Sequence, residues 1–99
     1  MQGNAMKEVN NIRLNHEPWT VRFVTKKQMP DKCWGDANNK LKEMRVRTDL
    51  SDRNFLDTFI HEMLHAANFD CFSEEFVEHT ATEMTKALLA SGRIKVVRD

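Results

Sequence analysis

The chain has 99 residues, 40% of them hydrophobic and 30% charged, with zero formal net charge, two cysteines and no tyrosine. That length leaves room for one core, so a mechanism spread over several domains is excluded and a single domain over residues 1–99 is expected. The composition is that of an ordinary globular protein; no apolar run reaches the ~18 residues of a membrane span, and residues 1–10 hold no hydrophobic signal core, which makes the cytoplasm the default compartment.

A chain this short buries only about 60–70% of the surface its unfolded form exposes, so its stability calls for a disulfide, a metal or a partner. Cys33 and Cys71 are far apart without a C-x-x-C pattern and read as two free, mostly buried thiols, which leaves a metal as the candidate aid. The zero net charge hides a division. Residues 1–50 carry ten Lys/Arg against six Asp/Glu, and residues 51–99 carry five against nine. The basic residues are dispersed rather than clustered, the mark of a solvated surface, so nucleic acid is not expected as a partner.

Residues 1–10 are polar and unpatterned, and a frayed terminus is expected there. Ile12 and Leu14, then Trp19, Val21 and Phe23, alternate with polar residues at the period of a half-buried strand pair, with His16-Glu17-Pro18 as the turn. From Thr25 to Lys40 the chain is rich in Lys, Asn and Asp and reads as loop. Another strand is predicted from Lys42 to Arg47, where Met44 and Val46 alternate with charged residues.

At Asp49 the period changes. Phe55, Leu56, Phe59, Ile60, Met63, Leu64, Ala66 and Ala67 recur at three- and four-residue spacing, with Ser51 as N-cap and Asp52 in the first turn: an amphipathic helix. A second helix is predicted to open at Ser73 and end at Gly92, with Phe72, Phe76, Val77, Ala81, Met84 and Leu88 on its apolar side. The tail holds Ile94, Val96 and Val97, as a short strand or an extension packed on the core. The predicted class is α+β: a small, mostly antiparallel sheet of about three strands packed on two antiparallel helices.

Inside the first helix lies His61-Glu62-Met63-Leu64-His65, an H-E-x-x-H motif. Residues four apart share a helix face about 5–6 Å apart, so both imidazoles can reach one tetrahedral ion. Glu62 is rotated about 100° from His61, which suits a general base acting on a metal-bound water rather than a ligand. With four His and eight Glu in the chain, the motif arises by chance in only about 1% of sequences of this composition. Zinc is therefore the expected cofactor.

Such a zinc takes three protein ligands, and the third must come from outside the motif. The second helix offers Glu74, Glu75, Glu78, His79 and Glu83, and a short connection brings its first turns near His65. Glu75 is preferred, with Glu74, Glu78 and His79 as alternatives. Cys71 stands where H-E-x-x-H-x-x-G-x-x-H would place a third histidine, but Asn68 replaces the glycine of that pattern. Asp57, one turn before His61, is a candidate to orient its imidazole, and His79 a candidate oxyanion donor.

The H-E-x-x-H run, preceded by Leu56-Asp57-Thr58-Phe59-Ile60 and followed by Ser73-Glu74-Glu75-Phe76-Val77-Glu78, resembles the small zincin metallopeptidases of the gluzincin type. It is similar in particular to SprT-like and ImmA/IrrE-like domains and their short phage-encoded relatives. The resemblance covers about residues 51–90. It implies a minimal zincin-like fold, peptide-bond hydrolysis, His61 and His65 as zinc ligands, Glu62 as general base and a second-helix Glu ligand, matched most naturally by Glu75. The chain departs from larger zincins in lacking an N-E-x-x-S-D motif, and without tyrosine it has no Tyr electrophile.

A peptide or protein substrate is expected, bound extended along an edge strand, for which Lys42 to Arg47 is the candidate; its basic residues with Lys40 would favour an acidic peptide. The rival readings are a zinc-stabilised structural or regulatory module without peptidase activity, and a protease acting on nucleic-acid-bound proteins.

Overall fold

The two periodicities sort the chain into a sheet and a helix pair. The structure is a computed structural model that describes residues 7–29, 32–68 and 71–97. Strands β1 (Lys7–Leu14) and β2 (Glu17–Val24) form an antiparallel hairpin, β3 (Gly35–Asn38) and β4 (Glu43–Arg47) a second one, and helices α1 (Asp52–Ala67) and α2 (Glu74–Ala90) follow. The sheet order is β1-β2-β4-β3, with β2 and β4 parallel at its centre. The class is α+β, as the sequence predicts.

The details of the sheet differ from the prediction. Four described strands replace about three, and the central pairing makes the sheet mixed. Lys7–Asn10, expected to be frayed, belong to β1; residues 1–6 lie outside the described residues. The first turn is Asn15-His16, both at positive φ as a two-residue hairpin twisted with its strands requires, and Glu17 and Pro18 open β2. Gly35–Asn38 is a strand inside the segment read as loop, and it caps the sheet on one side. Consequently β4 is not an edge. It is paired with β2 and β3 on its two sides, which removes Lys42–Arg47 as the place where an extended peptide adds itself.

One sheet face supplies Trp19, Val21, Met44 and Val46, which form the core with Leu50, Phe55 and Ala66. Phe23, Phe55 and Phe59 meet at centroid distances of 5.6–6.1 Å and fasten α1 to β2. Val96 of the tail packs against this core outside any described strand. The other face carries charges in cross-strand register. Arg22 pairs with Glu8 and Glu43, and the Arg45 guanidinium grips Asp36 with two hydrogen bonds, one of them 2.9 Å long. Arg47 is held by Asp49 at 2.8 and 2.7 Å, and Lys42 by Glu17. Arg22, Lys42, Arg45 and Arg47 thus have carboxylate partners within the chain, which offsets the basic character that the sequence gives this strand region. Cys33 and Cys71 are free but exposed, not buried.

The Ser51 hydroxyl accepts from the Asn54 amide at 3.2 Å and starts α1; the Ser73 hydroxyl accepts from the Phe76 amide at 3.0 Å and starts α2. Gly92, at φ +70°, follows the end of α2 in the left-handed conformation that suits glycine. Thr82 donates to Asp57 at 3.0 Å, whereas Glu74 meets His65, so an early α1 residue faces a late α2 residue and the reverse: the helices are antiparallel. Among the described residues, no helix is long and apolar enough to cross a membrane.

Candidate metal centre

The i, i+4 spacing places His61 and His65 on one face of α1, with ring centroids 5.0 Å apart. Opposite them stands Glu74, the first residue of α2, whose position is set by the Ser73 cap. Its two carboxylate oxygens lie 2.9 Å from His61 Nε2 and 3.1 Å from His65 Nε2. The two imidazoles and the carboxylate each offer one ligand atom within 4.8 Å of the others. Ligand atoms on a tetrahedral ion bound at about 2.0–2.1 Å stand roughly 3.4 Å apart, so this cluster has the spacing and the nitrogen and oxygen donors to hold such an ion.

Glu75, preferred in the sequence, is exposed and is not part of the cluster. The reason is helical phase. Val77, Ala81 and Thr85 are the buried residues of α2, and Glu74 and Glu78 border that stripe, while Glu75, His79 and Glu83 turn toward solvent. Counting around the helix from the Ser73 cap puts Glu74 and Glu78 on the side of that stripe and Glu75 off it. Glu78 lines the neighbouring cleft without joining the cluster; His79 does neither, so it is not placed to act on an oxyanion there. Cys71 lines a different pocket, against β1 and β2. Asp57 accepts from Thr82 and so couples α1 to α2 rather than orienting an imidazole.

Glu62 is the buried member of the motif. It leaves α1 toward β3, where its Cγ packs against Gly35 so closely that a Cβ there would come within 3.3 Å of it and within 2.8 Å of Thr58 Cγ2. Glycine is required at that crossing of helix and strand. Burial pushes the Glu62 carboxyl up to about 7, and the negative charges of Asp36 and Glu74 add to the shift. A carboxyl at that value exchanges protons near neutral pH.

A cleft of about 490 Å³ opens beside the cluster. Cys33, Trp34 and Gly35 form one wall, Asp57, Thr58, His61 and Glu62 line it from α1, and Glu78 and Thr82 close it from α2. The wall is held in place by the amide of Arg47, which donates to the Trp34 carbonyl at 2.9 Å. Sequence reasoning missed this wall, because Cys33, Trp34 and Gly35 sit in a segment with no periodicity.

No protein-family model, no curated protein and no solved structure matches the chain. The resemblance to the small zincins therefore rests on the motif and on the residues just described.

Proposed function

We propose that the chain is a zinc-dependent metallopeptidase of the small gluzincin type, with His61, His65 and Glu74 as metal ligands and Glu62 as general base. The observation that carries this reading is the pairing of two unlike features: a three-residue nitrogen and oxygen donor set, and beside it a buried carboxyl raised to about 7. Zinc bound there would supply Lewis acidity, polarising a substrate carbonyl and acidifying a water. Glu62 would take the proton from the attacking water and deliver it to the leaving amine, a round trip that suits a carboxyl poised near neutral pH. A purely structural metal site gains nothing from such a group, since burying a carboxyl among negative neighbours only destabilises the fold.

Among the described residues the sheet edge bordering the site is β3, which packs on α1, and an extended peptide added there would run past the cleft. The exposed thiols suit a reducing compartment such as the cytoplasm.

Metal analysis of the parent and of Glu62→Gln, followed by a peptide-library cleavage assay, tests the proposal. Zinc in both with cleavage by the parent alone is the expected result. Zinc with cleavage by neither would favour a zinc-stabilised structural module, and failure of the parent to take up zinc on reconstitution would overturn both readings.

A further inference from the structure

The cleft beside the metal centre has a chemical bias of its own. Asp57, Glu62 and Glu78 line it, and among the described residues no lysine or arginine does. Glu62 is only 9% exposed, its carboxyl end opens onto the cleft, and among the described residues no hydrogen bond or ion pair reaches it. The cations nearest in sequence to the cleft wall's partner strand, Arg45 and Arg47, are engaged by Asp36 and Asp49. The same cleft is lined by Trp34, 47% exposed although tryptophan is ordinarily well covered. An indole and carboxylates lining one cleft suit a group that is flat or aliphatic along its length and cationic at its end.

We propose that this cleft is a subsite for a basic side chain, Lys or Arg, of the peptide substrate, with the stem against Trp34 and the cationic head toward Asp57 and Glu78. The proposal rests on the peptidase reading and names its substrate class. It reverses the expectation of an acidic peptide drawn from the strand residues. A free amino terminus would satisfy the carboxylates but has no stem to cover the indole, so a side chain is the better occupant.

The test reads binding in zinc-reconstituted Glu62→Gln protein by calorimetry, with a hexapeptide blocked at both ends that carries one central arginine, and with its twin carrying neutral citrulline. The arginine peptide should bind about tenfold more tightly. Glu78→Gln and Asp57→Asn, the latter keeping an acceptor for Thr82, should each shrink that ratio, and Trp34→Ala should weaken both peptides. Equal affinity for the twins, no binding of either, or a gain conferred only by unblocking the amino terminus would overturn the proposal. Its failure is separable from failure of the peptidase reading. A parent that cleaves library peptides without preference for basic residues sinks the subsite alone; a preserved arginine preference with no cleavage of any peptide sinks the catalytic reading alone.

Discussion

The catalytic task proposed for Glu62 carries a penalty in stability. Its folded value of about 7 lies above the ordinary 4.5, so the folded state binds its proton more tightly than the unfolded state does. In chelator-treated protein this group's contribution is therefore full below about pH 4.5 and is lost as pH rises through about 7. Glu62→Gln has no such dependence, so its stability advantage over the parent should grow across that window to roughly 3 kcal/mol and then level off, as read by urea denaturation at a series of pH values. Glu74 and Glu75 provide the other residue-scale contrast. Competition with a chromophoric chelator should show Glu74→Ala losing at least about a hundredfold in zinc affinity, while Glu75→Ala stays within about twofold of the parent. His61, Glu62 and His65 were legible in the sequence because their spacing is local. The third member of the cluster, Glu74, was not, because it depends on how one helix is rotated against another, which the Ser73 cap and the Val77/Ala81/Thr85 stripe narrow to the side shared by Glu74 and Glu78.

At the scale of elements, the caps connect local structure to the site. Ser73 fixes the residue after it as the first of α2, and that residue is Glu74. Ser73→Ala should lower stability by about 1 kcal/mol in thermal or urea unfolding and also weaken zinc binding, whereas Ser51→Ala should produce a similar loss of stability with zinc affinity unchanged. Both helices were readable because their period and N-caps agree, and Gly92 marks the end of α2. The strand β3 was not. Gly35, Asp36 and Asn38 have little strand propensity, and the short strand owes its place to antiparallel pairing with β4 and to the contact of Gly35 with α1. The position of β4 was equally hidden, since alternation shows which face a strand buries and not which neighbours it has.

For the whole molecule, the small core of a 99-residue chain and the proposed metal are two parts of one stability problem. Both ends of the donor set come from different helices, so an ion there ties α1 to α2. Free zinc at a hundred times its dissociation constant should stabilise the folded state by about 2.7 kcal/mol. Scanning calorimetry should register that as a rise in Tm of roughly 10–20 °C over the chelator-treated protein, and Glu74→Ala should abolish most of it. The division of charge seen in the sequence also takes a different meaning at this scale: the basic strands are neutralised by cross-strand carboxylates, and the acidic helices border the cleft.

The parallel pairing of β2 with β4 has a consequence for the order of events. Parallel neighbours cannot be joined by a tight turn, so the chain leaves β2 at Val24 and reaches β4 at Glu43 only after crossing to the sheet edge as β3, and the wall bearing Trp34 and Gly35 is built on that detour. The Thr20 amide bonds to the Lys42 carbonyl and the Arg47 amide to that of Trp34, one on each side of β4. In native-state hydrogen exchange these two amides should open together with a single free energy, because neither bond survives once β4 leaves its slot. The cleft wall would then have no folded intermediate of its own: a molecule with its central strand undocked would have lost the proposed subsite before its helices came apart.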